Sequence, residues 1–132
     1  MQFVLYVTGP AYGTQNARNA YLFAQSILSN SNNKNNHRLD LIFFYGDGIY
    51  NANRCVYPAS DEFDLVHAWS IIHHKYDIPL YICSSAAMRR GVGVFTNSKT
   101  LERINNIKSG FKIRGLGSLV QSILHCERLV QF

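Results

Sequence analysis

Four short apolar runs, Phe3 to Val7, Leu39 to Tyr45, Leu80 to Cys83 and Arg128 to Phe132, alternate with segments whose apolar residues recur at helical spacing. The runs have the length and the β-branched or aromatic content of strands buried on both faces. Between them, Ala20, Ala24, Ile27 and Leu28 share one helical face. Leu65, Trp69, Ile72 and Tyr76 share a second, and Leu116, Leu119, Val120, Ile123 and Leu124 a third. Strands and helices alternating at this spacing require right-handed crossovers. The fold class is therefore α/β: a three-layer sandwich with a mostly parallel sheet of about five strands flanked by helices. Phe111-Lys112-Ile113 supplies the fifth, short strand. With 132 residues, 47% of them hydrophobic, the chain has material for one core and too little for two, which predicts a single domain over residues 1–132.

Local signals refine this outline. Ser60 or Asp61 is expected to cap the second helix, with Asp61, Glu62 and Asp64 placing negative charge in its first turn. Pro79 can open a strand without interrupting its ladder. Ser29 to Asn36, rich in Asn and Ser, reads as a mobile surface loop. Residues 91–110 carry only a helical hint at Leu101-Glu102-Arg103-Ile104.

Composition restricts the function classes. Lys plus Arg number 13 against 8 Asp plus Glu, a net charge of +5 that is not gathered into a run. Such a balance suits a solvated basic surface, with an acidic protein partner or nucleic acid as the alternatives. Three cysteines without framework spacing point away from a disulfide scaffold and toward a reducing compartment. Met1 to Val7 carries no charged leader, and no stretch is long and apolar enough to cross a bilayer, so a soluble cytoplasmic protein is expected, with no membrane association.

The chemistry-bearing position is Cys83. It stands where Ile78-Pro79-Leu80-Tyr81-Ile82 gives way to Ser84-Ser85-Ala86-Ala87-Met88-Arg89-Arg90-Gly91, a strand that delivers a thiol to the start of a helix. Carboxyl ends of parallel strands are where such sheets place their reaction sites. Helix N-terminal amides and nearby arginines favour a thiolate, the species that attacks electrophilic sulfur. Ser84 and Ser85 are the N-cap candidates that would hold the thiolate beside free amides. Arg89 and Arg90 either support the thiolate and attract an anionic partner, or simply solvate the helix end before Gly91, a C-cap residue. A buried, inert Cys83 is the competing structural reading.

Other constellations are weaker. Gly9-Pro10-Ala11-Tyr12-Gly13-Thr14 follows the first strand but matches neither G-x-G-x-x-G nor the Walker pattern, so a packing turn is favoured over a nucleotide or small-molecule site. His73-His74 and His125-Cys126 are adjacent pairs, not the i, i+4 spacing that binds zinc, so no metal and no cofactor are expected. Tyr45-Gly46-Asp47-Gly48-Ile49-Tyr50-Asn51-Ala52-Asn53 is either an exposed protein contact or a glycine-rich turn anchored by Tyr50. Cys55 and Cys126 are read as incidental.

From end to end the chain resembles the DsrE family of small sulfur-handling proteins. The blocks that carry the likeness are Thr8-Gly9-Pro10-Ala11-Tyr12-Gly13-Thr14-Gln15, Phe43-Phe44-Tyr45 with Gly48-Ile49-Tyr50-Asn51-Ala52-Asn53, and Pro58-Ala59-Ser60-Asp61-Glu62-Phe63-Asp64-Leu65-Val66. Cys83 with Ala86-Ala87 and Arg89-Arg90-Gly91, Gly115-Leu116-Gly117, and Arg128-Leu129-Val130-Gln131-Phe132 complete the series. The resemblance implies that Cys83 carries a persulfide in a sulfurtransferase relay serving 2-thiolation of the tRNA wobble uridine. It further implies TusB-like and TusC-like subunits in a heterohexamer, a TusA-like sulfur donor and a TusE-like acceptor, without direct nucleic-acid binding. The alternative within the same fold is a non-catalytic interaction subunit. The Asn-rich loop looks longer than the family pattern, and Cys55 is not a motif position.

Overall fold

The computed structural model describes residues 1–29 and 36–132. In chain order the elements are β1 (Gln2–Val7), α1 (Asn16–Ser29), β2 (Arg38–Phe44), a 3₁₀ segment (Gly46–Ala52), α2 (Leu65–Tyr76), β3 (Leu80–Cys83) and α3 (Ser84–Arg89). There follow β4 (Val94–Thr96), β5 (Arg103–Asn105), β6 (Phe111–Arg114), α4 (Leu116–His125) and β7 (Arg128–Gln131).

Five strands form one sheet in the order β6-β3-β2-β1-β7, and every neighbouring pair is parallel. The order follows from the burial pattern. Val4, Leu5 and Val7 of β1, Leu41 to Phe44 of β2, and Leu80, Ile82 and Cys83 of β3 are buried on both faces, so these strands take the interior. β6, with alternating exposure, and β7 take the edges; the expectation that the Arg128 to Phe132 run is buried on both faces is corrected, since along β7 only Val130 is half-buried. The chain steps from β1 through β2 and β3 to β6, then returns across the sheet through α4 to β7 beside β1. Right-handed connections running in opposite directions put α1 and α2 on one face and α4 on the other.

α1 buries Ala17, Ala20, Tyr21, Ala24, Ile27 and Leu28, the i, i+3, i+4, i+7 stripe of an amphipathic helix. α2 buries Leu65, Trp69 and Ile72. Trp69 is the hub of that layer, with its ring edge-on to Phe44 at 5.3 Å and to Tyr21 at 5.4 Å. Tyr76, placed by spacing on the same face, is exposed at the last turn.

Several expectations are corrected. The cap of α2 is Asp64, whose side chain accepts from the His67 amide at 3.0 Å; Ser60 and Asp61 lie upstream in a turn, and the first turn of the helix carries no acidic residue. Asp64 wins because it immediately precedes the buried Leu65 and Val66, which fix where the helix meets the sheet. The helical hint at 101–104 is a β-hairpin instead: β4 and β5 pair antiparallel, and Leu101 sits in the connecting turn at φ 57. A charged, β-branched segment without a buried face has nothing to hold a helix there. Ser29 ends α1, and Asn30 to Asn35 of the loop read at 29–36 lie outside the described residues.

α4 departs most from its pattern. Of the face Leu116, Leu119, Val120, Ile123 and Leu124, only Leu119 is buried and Ile123 half-buried; Leu116, Val120 and Leu124 are 45%, 54% and 76% exposed. The apolar arc of the helix is wider than the sheet surface it covers. No helix among the described residues is long and apolar enough to cross a membrane.

Candidate active site at the carboxyl edge of the sheet

Cys83 is the last residue of β3, paired in register with Arg114 of β6, and it is also the N-cap residue of α3, with φ −62 and ψ 124. Ser84 and Ser85 therefore occupy the first two helical positions, and the N-cap has no side-chain hydrogen bond. The expectation that they cap α3 through their hydroxyls is corrected. What they bring next to the sulfur is backbone N–H groups, which a helix start leaves without intrahelical partners.

The thiol is buried, 2% exposed, within the main core. Tyr45, the first residue of the loop singled out in the sequence, and Tyr6, which no motif marked, share its surroundings. The rings of Tyr6 and Tyr45 stack at 6.0 Å with 25° between planes. Burial first, then the neighbouring Tyr45 and Cys83, push the Tyr6 phenol above its ordinary value. Tyr6 belongs to β1 and Tyr45 follows the last residue of β2, so adjacent parallel strands bring both to the edge where Cys83 ends β3. The signal in the sequence was the run of aromatic residues at the strand ends.

The 3₁₀ segment closes this edge. Gly48 lies so near the end of β1 that a Cβ there would collide with the Val7 carbonyl oxygen, and only glycine permits that approach. Asn51 is wholly buried. It donates to the Gly9 carbonyl at 3.0 Å and the Gly48 carbonyl at 2.9 Å, and its Oδ1 accepts from Trp69 Nε1 at 3.0 Å. One side chain thus ties the β1–α1 turn, the 3₁₀ segment and α2 together. The loop is anchored by Asn51, not by Tyr50, which is exposed.

Arg90 follows the last residue of α3, about 10 Å along the helix axis from Cys83 at the usual rise. Its Nε donates to Asp47 Oδ1 at 3.0 Å and its Nη1 to the Ala86 carbonyl at 3.2 Å, which fastens α3 to the 3₁₀ segment. Arg89 is exposed in the last turn of α3, and Gly91 ends the helix at φ 67 as its C-cap character suggested. Among the described residues neither arginine is hydrogen-bonded to Cys83.

The remaining candidates separate from this edge. Cys55 is exposed in a loop, and Cys126 is half-buried at the end of α4 with its thiol directed to the Ile123 carbonyl at 3.4 Å. His73 bonds the Ile78 carbonyl at 2.8 Å, within the connection to β3, and His74 bonds the Ser109 hydroxyl at 3.1 Å, just before β6, so both hold α2 to neighbouring chain instead of merely facing water. Among the described residues no three His, Cys, Asp or Glu side chains gather closely enough to hold a metal ion. The Gly9 turn packs on α1, where a Cβ at Gly9 would approach Asn16 Cβ to 2.6 Å.

A parallel five-stranded sheet with a cysteine at a central strand-to-helix junction defines a class, and the chain belongs to the DsrE/DsrF-like family, whose model matches residues 1–132. Among curated relatives it is similar to the sulfurtransferase TusD of Enterobacter sp. (strain 638), 47% identical, and to the sulfurtransferase TusD of Klebsiella pneumoniae (strain 342), 46% identical. Each match covers the whole of both chains. The crystal structure of the ychN protein from E. coli shares the fold over the full length of both chains, with a TM-score of 0.74 at 21% identity.

Proposed function

We propose that this chain is a sulfurtransferase subunit that takes sulfur onto Cys83 from a TusA-like donor and passes it to a TusE-like acceptor, toward 2-thiolation of the tRNA wobble uridine. The observation that carries the reading is the position of Cys83 at the β3–α3 junction, in a chain 47% identical to a TusD sulfurtransferase.

The chemistry is thiol–disulfide exchange. The Cys83 thiolate attacks the terminal sulfur of the donor persulfide, a new S–S bond forms on Cys83, and the donor S–S bond breaks to release the donor thiolate. The Cys83 persulfide then yields the same sulfur to the acceptor thiolate by an identical exchange, so no external oxidant or reductant enters. The backbone amides of Ser84 and Ser85 stand beside the charge that moves, and Arg89 offers an exposed cation to an incoming anionic carrier. Burial of the thiol protects the persulfide from stray reductants, and transfer then requires the carrier to open the packing of α3 against the 3₁₀ segment. The reducing cytoplasm suits a relay of this kind.

TusB-like and TusC-like subunits in a heterohexamer are the partners this reading assigns. The exposed apolar face of α4, Leu116, Val120 and Leu124, supports it as surface for a subunit to cover. The dispersed net charge of +5 favours acidic carrier proteins over direct nucleic-acid binding.

To test the relay, a donor carrying isotopically labelled persulfide sulfur is mixed with the chain in its complex, and the cysteine peptides are weighed by mass spectrometry. A gain of one sulfur on the Cys83 peptide is expected; label confined to Cys55 or Cys126 rejects the assignment. The 2% exposure of Cys83 favours a second reading, a non-catalytic interaction subunit. Undiminished tRNA thiolation in cells complemented with Cys83→Ser would select it.

A further inference from the structure

Away from Cys83, an open cleft of about 650 Å³ lies between the turn that follows β1 and the segment leading into α2. Its volume is that of a small-molecule site. Its most unusual component is Arg18. The guanidinium lies face-on to the Phe63 ring, 3.7 Å from its centroid, with the Tyr21 ring at 5.5 Å. This stacking fixes the plane of the cation and leaves its N–H edges for a partner in that plane. None is present: Arg18 forms no ion pair or hydrogen bond among the described residues, and its Nη1 is out of solvent contact without an acceptor. Arg18 as a residue is half-buried and lines the cleft, so a stacked guanidinium without an ion pair is available there to meet an anion.

The other walls restrict which anion. Among the described residues Arg18 is the only cation lining the cleft, and Glu62, the only carboxylate there, does not pair with it; its Oε2 accepts from the Ala59 amide at 3.4 Å. One cation near one carboxylate disfavours a dianion such as phosphate. Ala11, Phe63 and Leu65 add apolar wall, and the Tyr12 hydroxyl is already engaged, donating to the Phe63 carbonyl at 2.8 Å. We infer that this cleft binds a carboxylate joined to an apolar body, with Arg18 gripping the carboxylate and the Phe63 side of the cleft taking the apolar part. The carboxylate comes either from a small organic acid or from the free C-terminus of a peptide. Cys83 does not line the cleft, so the inference stands or falls separately from the relay.

The test is a titration of the ¹⁵N-labelled full chain, followed by amide shifts. The probes are N-acetylphenylalanine and a short peptide ending in phenylalanine, each as free acid and as amide, together with inorganic phosphate. Saturable shifts in residues 11–18 and 62–65 are expected with the free acids and not with the amides. Whichever acid binds more tightly identifies the source of the carboxylate. Arg18→Gln is expected to weaken binding about tenfold, the loss of one charge-assisted contact. If Arg18→Gln does not fold, Glu62→Gln decides: removing the like charge should tighten binding about twofold. Equal shifts with acid and amide, displacement of the acid by lower concentrations of phosphate, no saturable shift, or unchanged or weaker binding in Glu62→Gln would each overturn the inference.

Discussion

At the scale of single residues, the three cysteines grade by environment: Cys55 exposed, Cys126 half-buried, Cys83 buried. A bulky maleimide added to the free chain should therefore label Cys55 first and Cys83 last, with peptide mass spectrometry giving the order. Early labelling of Cys83 would mean that α3 and the 3₁₀ segment open readily without a carrier. Asn51 makes the opposite kind of contribution. Asn51→Ala strands the Trp69 indole N–H and leaves the Gly9 and Gly48 carbonyls without its amide. A loss of about 3 kcal/mol in urea unfolding is expected, read by Trp69 fluorescence. Cys83 was legible in the sequence because a strand-to-helix junction is a local pattern. Asn51 was not, since an asparagine in a Gly-rich loop looks the same whether it faces water or an indole 18 residues along the chain.

At the scale of elements, the 3₁₀ segment and α4 are the informative cases. Gly48→Ala should cost about 3 kcal/mol or more, because the new methyl meets the backbone of Val7 and not a side chain that can move aside. Denaturant midpoints compared with wild type measure it. α4 predicts a separation of stability from assembly. Val120→Glu and Leu124→Glu fall on exposed positions, so the isolated chain should unfold within about 0.5 kcal/mol of wild type. Copurification with the proposed TusB-like and TusC-like subunits should nevertheless fall sharply. Equal recovery of partners would place their contact elsewhere. The helical period of α4 was plain in the sequence, but period reports only that an apolar face exists. Whether a sheet of the same chain or another molecule covers that face is decided by how far the sheet extends beneath it. The hairpin β4–β5 was hidden for a related reason: short, exposed strands have no buried face to imprint an alternation.

At the scale of the whole molecule, stability concentrates in β1, β2 and β3, whose side chains are buried on both faces, and thins toward β6, β7 and the separate β4–β5 hairpin. Native-state hydrogen exchange should follow that gradient, with amides of β4 and β5 exchanging well before those of β1 and β2. Comparable protection in the hairpin would contradict it. The parallel α/β architecture, the strands that form its centre and the cysteine at its carboxyl edge were all written in the sequence. Each depends on residues near one another in the chain, where burial and backbone hydrogen bonding impose a period. The closure of that edge by Asn51, the Tyr6–Tyr45 stack around Cys83, the Arg18 cleft and the bare side of α4 were settled only by tertiary structure. Each joins segments whose separation along the chain leaves no periodic trace, and only packing in three dimensions fixes which side chains meet.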